Sequence, residues 1–251
     1  MNQSNLKPYQ GAYQSDNPNP YKLSRTKVEN FLDCPRCFYL DRVHKIARPS
    51  TPPFTINSAV DSLLKAEFDT HRATGRKHPI QEEYGIDAEP ASHELLDKWR
   101  ENFHGIQYLD KKNNLLLFGA LDDLWINSAG EYIVVDYKAT AKAEPVESLG
   151  EARWHDAYRR QIEFYQWLLR QNGYKVSNTG YWVYCTGRPN EKAFNKRVIF
   201  DLRLIEHMGN DSWVEPTIAK LKACLDASEI PPVTSDCEYC NYVSTMTGYE
   251  G

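Results

Sequence analysis

Apolar residues recur at helical spacing in the first part of the chain, after a polar beginning. Residues 1–21 are rich in Asn, Gln, Pro and Tyr and contain no Val, Ile or Phe, which predicts a disordered tail. Thr26 followed by Glu29 has the capping-box pattern and predicts a short helix, and Pro35 predicts the start of a second one. Longer helices with the same apolar spacing are predicted over residues 56–72 and 92–103.

The middle of the chain changes to the short apolar runs that are typical of strands. Two such runs, residues 115–126 and 132–138, are separated by turn-forming residues that include Gly130, which predicts a hairpin. Helices, strands, a helix, strands and a helix follow one another, and this order predicts an α/β fold with a mixed central sheet flanked by helices. The later elements are predicted as a helix over 155–171, strands over 179–185 and 197–202, and a helix over 205–227.

Composition places the chain among globular proteins. Its 251 residues are 41% hydrophobic, enough for one substantial core, and we expect a single domain over residues 22–251. The formal net charge of -4 is not that of a typical nucleic-acid binder, so any basic patch must be local. No run approaches the roughly 18 apolar residues of a membrane helix, and no secretory signal is recognised. We therefore expect a cytoplasmic protein without membrane contact.

Two carboxylates and a lysine lie on the two strands of the predicted hairpin. Because side chains alternate along a strand, Asp136 and Lys138 project from one face. Asp122, at the end of the preceding run, can lie beside Asp136 in an antiparallel hairpin. Convergent carboxylates are what Mg²⁺ or Mn²⁺ requires, and a neighbouring lysine can offset charge on a phosphate under attack. The spacing alone is equally consistent with an alternative in which Asp122 and Asp123 are turn residues. In that alternative, Asp136 and Lys138 form a surface ion pair.

Three motifs in one order carry a family resemblance. They are Gly119-Ala120-Leu121-Asp122, then Val134-Val135-Asp136-Tyr137-Lys138, then Gln161 with Tyr165. The last two residues are four apart and so share one face of a helix. In this order the motifs resemble the PD-(D/E)XK nuclease superfamily, in its RecB-like branch. The resemblance implies a restriction-endonuclease-like core and metal-dependent hydrolysis of DNA phosphodiesters.

The resemblance also implies a role for each motif residue. Two carboxylates and one backbone carbonyl would bind the divalent ion, one lysine would support catalysis, and two residues of the helix would position the substrate or the lysine. In that order, these residues are Asp122 and Asp136, the Tyr137 carbonyl, Lys138, and Gln161 with Tyr165.

Asp61 stands where the RecB-like branch normally has a metal-binding histidine on an early helix. A third carboxylate would favour hard ions such as Mg²⁺ or Mn²⁺, and we expect Asp61 to be a further metal ligand. In the alternative, Asp61 is an ordinary polar residue of an amphipathic helix, and the site has lost a ligand.

Four of the six cysteines form two Cys-x-x-Cys pairs near opposite ends of the chain. In a reducing compartment such pairs favour metal coordination over disulfides, and a shared site would join residues 22–45 to residues 229–251. RecB-like nucleases with a 4Fe-4S cluster, among them CRISPR-associated and AddB-type nucleases, are similar but have one cysteine before the core and three after it. The resemblance favours a 4Fe-4S cluster, whereas the symmetrical pairs favour Zn²⁺. The candidate ligands are Cys34, Cys37, Cys237 and Cys240, while Cys185 and Cys224 are predicted to be core residues.

DNA is the expected partner, at ends or in single-stranded regions. Aromatic rings could stack on unpaired bases, and local basic clusters could follow the phosphates. For each single residue, the alternative of a core aromatic or an ordinary solvated charge is favoured. A catalytically silent nucleic-acid-binding module of the same fold and an RNA-processing endonuclease are the alternatives. The chain has no phosphate-binding loop of a helicase motor, so unwinding would require a separate helicase. The residues in question are Tyr39, Trp154 and Tyr158, with Arg25, Lys27, Arg36, Arg42, Lys45 and Arg48 near the first cysteine pair and Lys142, Arg153, Arg159 and Arg160 near the carboxylates.

Overall fold

The chain folds into two compact units, each containing helices and strands. The computed structural model describes residues 7–50 and 55–249. We call the two units the terminal unit and the central unit, and the expectation of one domain over residues 22–251 stays a prediction. The terminal unit comprises Met1–Pro52, Gln107–Gly119 and Ser212–Gly251, and the central unit comprises Pro53–Ile106 and Ala120–Asp211.

Eight α-helices and eight strands make up the regular structure of the described residues. None of these helices is long and apolar enough to cross a membrane. In chain order the elements are β1 (Tyr21–Ser24), α1 (Arg25–Asp33), α2 (Pro35–Arg42), α3 (Thr55–Thr74), α4 (Pro79–Glu83), β2 (Ala88–Pro90), α5 (Leu96–Trp99), β3 (Ile106–Asp110), β4 (Leu115–Gly119), β5 (Asp123–Asn127), β6 (Tyr132–Ala141), α6 (Arg153–Gln171), β7 (Thr179–Gly187), β8 (Phe200–Met208), α7 (Val214–Leu225) and α8 (Glu238–Thr247).

A mixed five-stranded sheet in the order β2-β5-β6-β7-β8 forms the centre of the central unit. β6 is antiparallel to β5 and parallel to β7, and β8 returns antiparallel to β7. The parallel pair is connected through α6, because parallel neighbours need a crossover. The mixed sheet with flanking helices confirms the fold class that the sequence predicts.

Strand β6 is covered on both faces of the sheet. On one face, Val135 and Tyr137 pack into a buried cluster with Phe68 of α3. The alternate residues Asp136 and Lys138 project from the opposite face, where α6 contacts β6. Two helices therefore enclose the strand that carries the Asp-x-Lys motif.

Helix α6 approaches the sheet closely at Gly180 of β7. A Cβ atom at this position would lie 2.5 Å from Cγ2 of Ile162 and 3.1 Å from the carbonyl oxygen of Val134. Glycine thus allows a helix-to-sheet distance that a larger residue would prevent. The same close approach brings Gln161, the neighbour of Ile162, within reach of β6.

The terminal unit contains a three-stranded sheet in the order β1-β4-β3, with β1 parallel to β4. Helices α1 and α2 contact α7. The core of this unit is apolar, with Leu23, Phe38 and Leu221 fully buried. Helix α8 follows α7 and carries the second cysteine pair at its start.

Residues 7–20, which composition assigns to a disordered tail, make defined contacts with the rest of the terminal unit. The hydroxyl of Tyr21 donates to the carbonyl of Gly11 at 3.0 Å, and that of Tyr13 donates to Asp226 at 2.6 Å. The rings of Tyr9 and Tyr13 lie 5.1 and 5.2 Å from the ring of Tyr21. The prediction of a disordered tail is therefore wrong for residues 7–20, because tyrosine rings supply apolar surface in place of Val, Ile and Phe. Residues 1–6 lie outside the described residues.

Several predicted elements differ from those in the structure. Helix α1 begins at Arg25 with Ser24 at its N-cap and no side-chain cap bond, so the predicted capping box at Thr26 is wrong. The apolar run over 115–126 is interrupted, and its two parts, β4 and β5, belong to different sheets. Only Leu96–Trp99 is helical within the predicted helix over 92–103.

The predicted boundary between the last strand and the last helix is also wrong. β8 pairs with β7 along its whole length, from Gly187 with Phe200 to Thr179 with Met208. Residues 205–208 are therefore strand, and helix α7 begins only at Val214. Pairing with β7 overrides the local helical pattern, because contacts within the sheet stabilise a strand more than its intrinsic β propensity does.

Candidate active site and cysteine site

The candidate active site lies where β5 diverges from β6. The ladder between these strands ends at the pair Asp123–Val135, so β6 continues without this neighbour. The freed N–H of Tyr137 donates to Oδ2 of Asp122 at 2.9 Å. This bond holds the Asp122 carboxylate at the edge of β6, next to Asp136.

Asp136 is a buried carboxylate that lies beside both a lysine and a second carboxylate. Its side chain is 0% exposed, and the ammonium group of Lys138 contacts it. Neither oxygen has a well-directed hydrogen-bond partner among the described residues. Burial raises the pKa of Asp136 to about 7; Lys138 opposes this shift, and the negative charge of Asp122 adds to it. Asp122 and Asp136 together carry more negative charge than Lys138 offsets, and such a pair fits a divalent cation.

Lys138 is held in place by groups on α6. Its Nζ donates to Oε1 of Gln161 at 3.3 Å and lies 4.6 Å from the ring centre of Tyr158. Nε2 of Gln161 donates in turn to the hydroxyl of Tyr165 at 3.4 Å. The structure therefore brings together Asp122, Asp136, Lys138, Gln161 and Tyr165, the five residues that the sequence motifs name.

Asp61 lies near Asp122, and a lysine that the sequence analysis missed contacts both. Nζ of Lys65 is 2.9 Å from Oδ2 of Asp61 and 3.7 Å from Oδ1 of Asp122. Burial raises the pKa of Asp61; its bond to Lys65 opposes this, and Asp122 adds to the rise. The signal for Lys65 was its position four residues after Asp61, which places both side chains on one face of α3.

Asp123, the neighbour of Asp122, is the centre of a buried ion network. Its side chain is 0% exposed and contacts the guanidinium groups of Arg72 and Arg100. The hydroxyl of Tyr137 donates to Oδ2 of Asp123 at 2.8 Å. Nε of Arg100 also donates to the backbone carbonyl of Asp122 at 3.1 Å. The network thus fixes the backbone of Asp122, while the Tyr137 N–H fixes its carboxylate.

A cavity of about 230 Å³ opens beside Lys138. Asn57 and Asp61 of α3 line it on one side, and Tyr158 of α6 lines it on another. A ligand can therefore approach the lysine through this cavity. This opening completes a site with acidic groups, a fixed ammonium group and access for a ligand.

Family comparison agrees with this geometry. A family model described as the PD-(D/E)XK nuclease superfamily matches residues 22–245. The chain belongs to the PD-(D/E)XK nuclease superfamily. The match includes all three motifs and both cysteine pairs, and members of the superfamily are typically metal-dependent nucleases. A search of curated proteins finds no match.

The aromatic and basic residues proposed to contact nucleic acid differ in their surroundings. Tyr39 is buried, with 4% of its surface exposed, so it is not available to stack on a base. Lys27 and Arg42 both pair with Asp41, which neutralises part of the first basic cluster. Trp154, at the start of α6, is 63% exposed and keeps an open ring face.

This PD-(D/E)XK protein also has a cluster of four cysteines within its terminal unit. Cys34 is the N-cap residue of α2, and Cys37 lies in the first turn of that helix. Cys237 and Cys240 occupy the same two positions on α8. All four Sγ atoms lie within 4.8 Å of one another, and all four residues are buried. The cluster is a metal site in outline, and it joins the N-terminal and C-terminal segments as predicted.

Hydrogen-bond donors surround the cysteine sulfurs. Sγ of Cys34 accepts from the N–H of Cys37 at 3.5 Å and from the hydroxyl of Thr234 at 3.4 Å. The guanidinium group of Arg48 lies 3.6 Å from Sγ of Cys237. Burial raises the pKa of Cys34, but hydrogen bonds from Thr234, the N–H of Cys37 and the neighbouring thiols outweigh it and lower this pKa to about 6. The thiolate, the form that binds metals, is therefore favoured at Cys34. Burial raises the pKa of Cys37 and of Cys240.

The two remaining cysteines lie outside this cluster and differ in burial. Cys185 is buried within β7 in the central unit, and burial raises its pKa to about 12. Burial likewise raises the pKa of Cys224 on α7 to about 11. Burial thus favours the protonated thiol at neutral pH in both. The prediction of a small core residue is confirmed for Cys185, whereas Cys224 is only partly buried.

Proposed function

We propose that this protein is a metal-dependent nuclease that hydrolyses DNA phosphodiesters at ends or in single-stranded regions. The convergence of Asp122, Asp136 and Lys138 at one edge of β6 is the observation that carries this proposal. Membership of the PD-(D/E)XK nuclease superfamily supports the nuclease chemistry. The order of the three motifs supports a place in the RecB-like branch.

Asp122 and Asp136 would hold Mg²⁺ or Mn²⁺, with the Tyr137 carbonyl and Asp61 as further oxygen ligands. The N–H of Tyr137 faces Asp122, and the N–H and carbonyl of one strand residue point to the same side. The carbonyl is therefore directed toward the same edge of β6. When bound, the ion supplies Lewis-acid polarisation of a phosphoryl oxygen and activation of water.

Lys138 would supply positive charge where the phosphate under attack gains negative charge. Its side chain is 15% exposed, so the ammonium group acts in a partly dehydrated environment where charges interact more strongly. Gln161 fixes this group by accepting its hydrogen bond, and Tyr165 fixes Gln161. A charge held in position before the reaction needs no reorganisation during it.

A cleavage assay tests this function. End-labelled single-stranded DNA, duplex DNA and RNA of one sequence are incubated with the full chain and Mg²⁺ or Mn²⁺. We expect cleavage of single-stranded or end-containing DNA, lost in Asp136→Asn and Lys138→Ala. Matched controls are Asp97→Asn, whose side chain is 99% exposed, and Lys192→Ala in an exposed loop; both should keep activity. Preference for RNA would favour the RNA-processing alternative.

One observation favours the catalytically silent module. Lys65 contacts both Asp61 and Asp122, so a divalent ion would compete with an ammonium group for two of its ligands. In this alternative the chain binds nucleic acid but cleaves none of the substrates with either ion. That result would overturn the enzymatic proposal while leaving the fold assignment intact.

We further propose that the four cysteines hold a metal group that stabilises the terminal unit. The likeness to iron-sulfur nucleases of the RecB-like branch favours a 4Fe-4S cluster. The two symmetrical Cys-x-x-Cys pairs favour Zn²⁺. One ion and a four-iron cluster differ in size, so they would require different separations of the four sulfur atoms.

A further inference from the structure

The sulfur atoms of the cysteine cluster lie almost in contact with one another. Sγ of Cys34 is 3.8 Å from Sγ of Cys240. Sγ of Cys37 is 3.6 Å from the sulfurs of both Cys237 and Cys240. No pair among the four is more than 4.8 Å apart. The four sulfurs therefore surround a space of atomic size.

A single tetrahedral ion requires such separations. With Zn–S bonds of about 2.3 Å, the sulfurs at the corners of a regular tetrahedron lie about 3.8 Å apart. In a 4Fe-4S cluster each thiolate binds a different iron, which holds the cysteine sulfurs about 6 Å apart. Sulfurs that all lie within 4.8 Å of one another leave no room for four irons and four sulfides.

The surroundings of the sulfurs oppose expansion to the larger cluster. Sγ of Cys34 accepts hydrogen bonds from Thr234 and from the backbone of Cys37. Arg48 contacts Cys237, pairs with Asp33 and lies 4.7 Å from the ring centre of Tyr239. Increasing the distances between the sulfurs by about 2 Å, to fit the larger cluster, would break several of these contacts at once.

The two cysteine pairs are also presented in the same way. Each pair places one cysteine at a helix N-cap and the other in the first turn, on α2 and on α8. Each helix start thus contributes two thiols on one side. Two equivalent pairs provide four equivalent ligands, as a tetrahedral ion requires, rather than the one-and-three arrangement of the iron-sulfur relatives.

We infer that the four cysteines bind one tetrahedral Zn²⁺ ion and that they do not fit a 4Fe-4S cluster. The inference rests on the proposal that this cluster binds a metal, and it is independent of nuclease activity. Four thiolates on one divalent ion leave two negative charges, which Arg48 partly offsets at Cys237. Because the four cysteines would fill every position of a tetrahedral Zn²⁺ ion, the site is structural and holds α2 to α8.

Metal and sulfide analysis of the full chain tests this inference. The protein is purified without air from cells grown with both iron and zinc. We expect one zinc per chain, no acid-labile sulfide and no visible absorbance. Four irons with sulfide, or one iron without sulfide, would overturn the zinc assignment. A chain without any metal would overturn the metal proposal as well.

Cysteine variants locate the ion. Cys37→Ser and Cys240→Ser should each lose zinc on dialysis against a chelator that wild type resists. Cys224→Ser, a cysteine of the same unit outside the cluster, should keep one zinc per chain. Substitution of Co²⁺ into wild type should give the intense visible bands of a tetrahedral thiolate site, a result that needs no variant to fold.

The nuclease proposal and the zinc inference fail separately in this experiment. Asp136→Asn should lose cleavage and keep its zinc, because Asp136 lies in the central unit and the cysteines lie in the terminal unit. Loss of zinc in Asp136→Asn, with zinc kept in Cys37→Ser, would contradict the assignment of the ion to the cysteines.

Discussion

The ammonium group of Lys138 donates a hydrogen bond over 3.3 Å to Oε1 of Gln161. The amide nitrogen of Gln161 donates to Tyr165, so the orientation of the glutamine side chain is fixed as well. The position of the lysine is therefore set by helix α6 as well as by its own strand. Gln161 is a positioning residue for the proposed reaction.

Removing this contact should affect turnover more than substrate binding. In Gln161→Ala we expect kcat to fall about 10- to 100-fold, because a misplaced group loses most of its effect on the transition state. KM for single-stranded DNA should change less. Steady-state kinetics on wild type, Gln161→Ala and Lys192→Ala measure this. A rise in KM at unchanged kcat would show that Gln161 binds substrate and does not position Lys138.

The raised pKa of Asp136 makes the stability of the protein without Mg²⁺ or Mn²⁺ depend on pH. The ordinary pKa of this group is 3.8, and burial raises it to about 7 in the fold, with Lys138 opposing the shift and Asp122 adding to it. The stabilisation that the fold gains from holding Asp136 in its protonated form is therefore fully present below about pH 4. It is lost as the pH rises through about 7.

Thermal unfolding of wild type and Asp136→Asn between pH 5 and 8 checks this sign. Without Mg²⁺ or Mn²⁺, the Tm of wild type should fall relative to that of the variant as the pH rises. Added Mn²⁺ should restore the wild-type Tm at the upper end of this range, because it supplies the missing charge. Parallel Tm curves for the two proteins would contradict the assigned pKa.

Lys65 should compete with the divalent ion. In Lys65→Ala the Mn²⁺ concentration for half-maximal cleavage should fall about 5-fold, since a charge about 4 Å away contributes about 1 kcal/mol. Lys65→Arg keeps the charge and should stay close to wild type. Metal titrations of the cleavage rate measure both variants. Loss of cleavage in Lys65→Ala at every Mn²⁺ concentration would instead place Lys65 on the substrate.

Breaking the buried ion network at Asp123 should lower the free energy of unfolding. Asp123→Asn leaves the guanidinium groups of Arg72 and Arg100 with the half-exposed Asp69 in place of a buried counter-charge. This should cost about 3 kcal/mol in the free energy of unfolding, the lower end for a broken buried pair. Urea denaturation measures this change. Asp97→Asn, at a 99% exposed side chain, should cost less than about 0.5 kcal/mol. Equal effects in the two variants would be inconsistent with the network.

The central part of the candidate site could be predicted because its residues are close in sequence, so that the local geometry of a strand or a helix places their side chains on one face. Alternation along β6 places Asp136 and Lys138 on one face, and helical spacing places Gln161 and Tyr165 on one face of α6. The hairpin follows from its turn residues and is confirmed by the pairing of β5 with β6. These relationships need no knowledge of distant contacts.

Residues held by long-range contacts were not predictable in this way. Arg100 reaches Asp123 across 23 positions of sequence, and no local pattern indicates that contact. The predicted helix over 92–103 contains the pair His93 and Trp99, whose rings stack at 4.2 Å. Trp99, an apolar residue of that stretch, thus packs on a histidine ring in a mostly irregular segment, so the helical spacing of the apolar residues was misleading.

Binding of Mn²⁺ to the purified chain, followed by electron paramagnetic resonance of the free ion, tests the shared aspartate site most directly. Wild type and Asp97→Asn should bind Mn²⁺ alike, whereas Asp122→Asn and Asp136→Asn should each bind it at least about 10-fold more weakly, because each removes one carboxylate ligand. Unchanged Mn²⁺ binding in both Asp122→Asn and Asp136→Asn would contradict the account.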